Sequence, residues 1–221
     1  MSTLQVPAGD VRLEADISEP AAPGSAVRGV VVFAHGSGSG RRSPRNREVA
    51  AALTKQGLAT LLFDLLTPEE EIEDLRTAQL RFNVPLLAGR LSRVVAWVRS
   101  EEAGALTGRP VGLFGASTGA AAALVAAAHN PGDVGAVVSR GGRPDLAAHA
   151  LGEVRAPTLL IVGGRDTDVL ALNEQALERM DRGTGHRLVV VPGAGHLFEE
   201  PGALREVARL SAEWFCSNLP E

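Results

Sequence analysis

Residues 111–124 read VGLFGASTGAAAAL: an apolar run, a turn made of Gly115-Ala116-Ser117-Thr118-Gly119, and an alanine-rich continuation. The order predicts a buried strand, a cramped turn and a helix, with Ser117 at the apex of a G-x-S-x-G pattern. A serine at such an apex takes unfavourable backbone angles, so its neighbours two positions away must lack bulk, and glycine supplies that room. The turn lifts the hydroxyl clear of the sheet and sets it at a helix N-terminus, where backbone N–H groups favour developing negative charge. A glycine-rich turn that merely contains serine has the same five letters. The pattern therefore needs partners, because a serine hydroxyl is a weak nucleophile without a base.

Outward from this stretch, near-continuous apolar runs recur at Gly29–Ala34, Ala59–Leu65, Ala136–Val138, Thr158–Val162 and Leu188–Val191. Runs rich in Val and Leu without alternation fit strands buried on both faces of a parallel sheet. Helical segments lie between and after them, at Glu48–Gln56, Ala88–Glu102, Gly119–His129, Val169–Asp181 and Ala203–Ser217. Alternating strand and helix predicts an α/β fold, a three-layer α/β/α sandwich. Leu4–Val6 and Val11–Ile17 alternate apolar and polar residues around Ala8, Gly9 and Asp10, which adds an N-terminal antiparallel ribbon to the mostly parallel sheet. Pro20–Ser25 reads as a surface loop, too short for a domain linker, and a single domain over 1–221 is expected.

Three further segments supply the serine's partners. His196 lies in a loop between the last strand and the last helix, whereas His129, His149 and His186 sit where surface residues are expected. An orienting acid should leave the preceding strand, and both Asp166 and Asp168 do; Asp166 is preferred because Asp168 is placed to cap the following helix. The chain order Ser117, Asp166, His196 is that of the α/β hydrolases. The loop His35-Gly36-Ser37-Gly38-Ser39-Gly40 leaves another buried strand, and the backbone N–H groups of Ser37 and Thr118 are the expected oxyanion donors. His35 is read as a brace for that loop. The loop does not fit the dinucleotide glycine pattern, and no lysine follows it.

The remaining composition narrows the function. At 221 residues and 45% hydrophobic content the chain can bury a full core. The net charge of -4 and 4% aromatic content argue against nucleic-acid binding. Cys216 is the one cysteine, so neither a disulfide framework nor a cysteine-rich metal site is expected. No cofactor or metal is expected. No leader and no spanning apolar run stands out, which makes the cytoplasm the expected location and a membrane partner unexpected. The acidic run Glu69–Asp74 reads as a solvated helical face.

The segments HGSGSGRRSPRNR (35–47), GASTGAAAAL (115–124), SRGGRPDLA (139–147) and GAGHLFEEPGAL (193–204) are similar to those of the dienelactone hydrolase branch of the α/β-hydrolases. They most resemble bacterial hydrolase domains found alone or fused to a phosphoribosyltransferase domain. The resemblance covers nearly the whole chain. It implies an α/β-hydrolase fold with Ser117, Asp166 and His196 as nucleophile, acid and base, and with Ser37 and Thr118 at the oxyanion positions. Dienelactone hydrolases carry cysteine where this chain has Ser117, so the resemblance implies ester, thioester or lactone hydrolysis without naming the substrate.

Ser139–Val154, where many relatives insert a lid, has room only for a small helix, and a minimal cap over an open site is expected. Arg140, Arg143 and Arg45 fall near the expected site. They are candidate contacts for a small acyl substrate bearing an anion, with salt bridges to Asp145 or Glu48 as the competing reading. Two other functions leave the same motifs in place: an acyltransferase or perhydrolase with an acceptor other than water, and a catalytically silent binding module.

Overall fold

The computed structural model describes residues 2–20 and 27–219; all of the expected Pro20–Ser25 loop except Pro20 lies outside them. The strands are β1 (Ser2–Pro7), β2 (Arg12–Ser18), β3 (Gly29–Ala34), β4 (Leu58–Phe63), β5 (Val111–Ala116), β6 (Val134–Arg140), β7 (Thr158–Gly163) and β8 (Arg187–Val191). They form one eight-stranded sheet in the order β1-β2-β4-β3-β5-β6-β7-β8. β1 runs antiparallel to β2 and β2 antiparallel to β4, and every pairing from β4 through β8 is parallel. The apolar runs are central because β3, β4, β5 and β7 are buried at every position.

The helices are α1 (Pro44–Lys55), α2 (Pro68–Thr77), α3 (Val84–Arg99), α4 (Thr118–His129), α5 (Thr167–Arg179) and α6 (Ala203–Asn218). Buried residues of α3, α4 and α5 join the core on one face of the sheet, and those of α1 and α6 join the core on the other. Residues 118–128 of α4 are all buried, and their short side chains let the helix lie close against the sheet. Between β6 and β7 there are only two short 3-10 turns, Pro144–Ala147 and Leu151–Glu153, so the expected minimal cap is present. No helix among the described residues is long and apolar enough to cross a membrane.

Local chemistry departed from two expectations. α1 begins at Pro44 rather than Glu48, because the Ser43 hydroxyl accepts from the Asn46 N–H at 3.3 Å and proline suits the first helical position. The acidic run is only partly a solvated face. Thr67 and Glu70 make a capping box at the start of α2, and Arg90 grips Glu70 with two 2.6 Å bonds, holding its carboxyl below the usual range. Asp74 is buried and accepts from the Leu80 N–H and from Arg81 Nε, while Ile72 and Leu75 face solvent. Charge pairing, which composition does not reveal, turned those acids inward.

Candidate active site

Ser117 stands between β5 and α4 with φ 51° and ψ −119°, a conformation that L-residues rarely adopt. The turn is so tight that a Cβ on Gly115 would lie 2.4 Å from the Ala120 Cα, and one on Gly119 would lie 2.3 Å from the Ala34 carbonyl oxygen. Backbone bonds hold the strained serine: its N–H donates to the Arg140 carbonyl at 3.1 Å, and its own carbonyl accepts from Ala120 and Arg143. Its hydroxyl has no hydrogen-bond partner among the described residues and does not cap α4. It is left available at the C-terminal rim of the sheet, the edge at which α/β sheets bind ligands.

Asp166 follows β7 at the N-cap position of α5, yet its carboxylate makes no cap hydrogen bond. Instead Oδ2 accepts from His196 Nδ1 at 2.6 Å. The capping role expected of Asp168 is not observed, since that residue lies within the first turn. With Nδ1 donating to a carboxylate, Nε2 is the imidazole's free acceptor. The loop carrying His196 is strapped to the loop carrying Asp166. The Arg165 N–H donates to the Ala194 carbonyl at 2.9 Å, and a Cβ on Gly163 would be 2.4 Å from that same oxygen. Glu200 adds a second strap, accepting from the Gly195 N–H at 3.1 Å and pairing with Arg165. Sequence reasoning missed Glu200; its only signal was its place four residues after the histidine.

Gly141 links the halves. It follows Arg140, the acceptor of the Ser117 N–H, and a Cβ on it would sit 3.5 Å from the His196 ring. Serine and imidazole therefore share one rim, although no hydrogen bond joins their side chains here. Such contacts often tighten only when substrate binds.

The expected oxyanion donors come from two segments that meet at the elbow. The Thr118 N–H belongs to the first turn of α4, where no helical carbonyl can reach it. The Ser37 N–H, however, is already engaged and donates to Thr118 Oγ1 at 2.9 Å. Thr118 is 3% exposed, so this bond ties the glycine-rich loop to the elbow from inside. Thr118→Val would leave a donor unpaired and is expected to cost about 1–3 kcal/mol in urea unfolding, with Thr118→Ser losing distinctly less. His35 braces the same loop, as expected: Nδ1 bonds to the Gly36 carbonyl at 2.9 Å, and Nε2 accepts from the Leu65 N–H at 3.0 Å. Burial pulls its pKa below the ordinary value and keeps it neutral.

Beside the elbow a cleft of about 730 Å³ runs between the glycine-rich loop and α2, lined by Ser37, Arg41, Leu66, Leu75 and Thr118 among others. Arg41 is consumed by Glu14 and Asp64. Of the three arginines proposed as ligands, Arg143 forms a bidentate pair with Asp145 at 2.8 and 2.7 Å, which is the competing reading. Arg45 bonds Glu199 at 3.1 Å rather than Glu48. Arg140 has neither Nε nor Nη1 hydrogen-bonded. His186, expected on the surface, is half-buried with both ring nitrogens unpartnered among the described residues.

Comparison with known proteins gives the chain a family. The model of the dienelactone hydrolase family matches residues 13–214. The chain is 56% identical over 216 residues to proteins from two strains of Mycobacterium tuberculosis that carry the provisional name phosphoribosyl transferase; the match covers 98% of this chain but 46% of those proteins. It thus spans about half their length, and the transferase name belongs to the longer protein. A dienelactone hydrolase crystal structure from Anabaena variabilis is 56% identical with a TM-score of 0.92, over 99% of this chain and 97% of that one. Est1E from Butyrivibrio proteoclasticus, 13% identical, shares the fold at a TM-score of 0.81 over 99% of both chains. From the elbow to the strapped histidine loop, and over nearly its whole length, this chain belongs to the dienelactone hydrolase family.

Proposed function

We propose that the protein is a serine-dependent carboxylic ester hydrolase, working through an acyl-enzyme on Ser117 with His196 as base and Asp166 as the acid that orients it. The observation that carries this reading is the Asp166 carboxylate. It stands at a helix start, where capping is the easy bond, and instead holds His196 Nδ1 at 2.6 Å. That hydrogen bond fixes the imidazole with Nε2 free to take a proton.

The Ser117 oxygen attacks the ester carbonyl carbon as its proton passes to His196 Nε2. The oxyanion takes the N–H groups of Thr118 and Ser37, replacing Thr118 Oγ1 as acceptor of the latter. Collapse breaks the acyl–oxygen bond, and the imidazolium returns its proton to the leaving alcohol. Water then repeats the sequence on the acyl-serine and releases the acid. Thioesters and lactones present the same carbonyl, and the open rim above β6 admits them without a lid.

Rapid mixing with p-nitrophenyl butyrate tests this directly. A burst of about one equivalent of p-nitrophenol per chain, followed by a slower steady state, is expected where deacylation limits turnover. If no p-nitrophenyl ester from acetate to octanoate were turned over, the reading would fail.

A further inference from the structure

Val169 and Ala176 of α5, with Met180 at its C-terminal end, are buried at helical spacing and form the apolar stripe that faces the core. Asn173 falls in the same stripe and is 0% exposed. An aliphatic side chain would fill that position by packing alone. The amide instead donates twice, Nδ2 bonding the Val169 carbonyl one turn earlier at 2.7 Å and the Gly142 carbonyl at 3.0 Å. Both partners are carbonyl oxygens, so the nitrogen must be the atom that faces them. Oδ1 is enclosed without a hydrogen-bond partner among the described residues. A buried acceptor left unsatisfied costs stability. What the amide gains beyond its own helix is the hold on Gly142.

Gly142 belongs to the segment 140–143, which touches both halves of the site. The Arg140 carbonyl accepts the Ser117 N–H, the Arg143 N–H donates to the Ser117 carbonyl, and a Cβ on Gly141 would sit 3.5 Å from the His196 ring. The segment has little freedom, since a Cβ on Gly142 would lie 2.1 Å from Ser139 Oγ and 2.7 Å from the Ala120 Cβ. At the other end of the amide bond, α5 carries Asp166 at its start. The Asp166 carboxylate is spent on His196 and caps nothing, so the acid goes where the helix goes. His196 is therefore held by α5 on one side and abutted by Gly141 on the other, and the Asn173 amide ties those two sides together.

We infer that Asn173 is a positioning residue for hydrolysis: by latching α5 to the Gly142 carbonyl it sets the Asp166–His196 pair against the Ser117 elbow. It acts through these residues and touches none of the reacting atoms. The inference rests on the ester-hydrolase reading and adds a residue to it. A misplacement of about 1 Å in such a constellation can cost on the order of 10²-fold in rate.

The test uses the full chain. Asn173→Leu keeps the volume and loses both bonds. Asn173→Ser keeps a hydroxyl that can bond the Val169 carbonyl but is too short for Gly142, and it carries the test if the leucine variant does not fold. Ala176→Gly, next in the stripe, loosens α5 without touching the latch. On p-nitrophenyl butyrate both Asn173 variants should lose roughly 10- to 100-fold in kcat with KM within about twofold of wild type, whereas Ala176→Gly should melt lower and keep its kcat. In an Asp166→Asn background, where the imidazole is already released, Asn173→Leu should cost less than about threefold more, because residues that act as a unit are not additive. The nitrogen chemical shifts of the His196 ring need no turnover: wild type and Ala176→Gly should carry the proton on Nδ1, and the Asn173 variants a mixture of the two tautomers. Wild-type kcat and ring shifts in the folded Asn173 variants, an equal kcat loss in Ala176→Gly, or losses that multiply in full with Asp166→Asn overturn the latch. If the wild type turned over no ester, the hydrolase reading would fail by itself, and the ring shifts would still decide whether Asn173 positions the imidazole.

Discussion

Ser117→Ala is expected to lower ester turnover on the order of 10⁴- to 10⁶-fold, because it removes the atom to which the acyl group would be transferred. Residual activity would come only from binding and from the oxyanion donors acting on water. The fold should survive. The Ser117 hydroxyl bonds to no described residue, and the elbow is held by backbone contacts to Arg140, Ala120 and Arg143 that alanine retains. Alanine also tolerates the positive φ about as poorly as serine does, so the change should move Tm little. Steady-state kinetics with p-nitrophenyl butyrate, beside a melting curve for each protein, checks both halves of the expectation. Loss of activity together with loss of the cooperative melt would point to a structural role instead.

Asp166→Asn should cost roughly 10³- to 10⁴-fold in kcat, with KM little changed. The amide is nearly isosteric, but it can present an N–H toward His196 Nδ1, where the carboxylate accepts at 2.6 Å. The imidazole would then carry its proton on Nε2, the atom needed as base, and the imidazolium formed during attack would lose its counter-charge. Asp168→Asn lies two residues further on and should have no comparable effect, because the imidazole is bonded to Asp166 and not to Asp168. Equal losses from the two substitutions would reject the assignment of the acid. Since asparagine also caps helices well, a change in α5 stability offers no alternative explanation for a kcat effect.

Much of this was legible before any coordinates. Strands buried on both faces announce themselves as unbroken apolar runs, and the glycines flanking Ser117 are a steric requirement, seen as virtual Cβ clashes with Ala120 and Ala34. The Asp166–His196 contact followed from chain order and position after strands, since the topology leaves few places for an acid and a base on that rim. What the sequence hid were choices among hydrogen-bond partners. Nothing in the letters says that Thr118 Oγ1 takes the Ser37 N–H, that Glu200 straps the histidine loop, or that Asp74 turns inward to Arg81. The same holds for the arginines: Arg143 and Arg140 read alike as neighbours on one segment, yet one has Asp145 two residues away and the other keeps Nε and Nη1 enclosed without a hydrogen-bond partner among the described residues. Pairing of that kind depends on which way a side chain leaves its strand, and periodicity alone does not settle it.

All of the proposed chemistry depends on Ser117 being an activated nucleophile. Reaction of the folded protein with a fluorophosphonate, followed by peptide mass spectrometry, should find a single adduct on the peptide containing Ser117, and none once the protein has been unfolded before labelling. An adduct on a different residue, or an unlabelled Ser117 in protein that melts cooperatively, would contradict it.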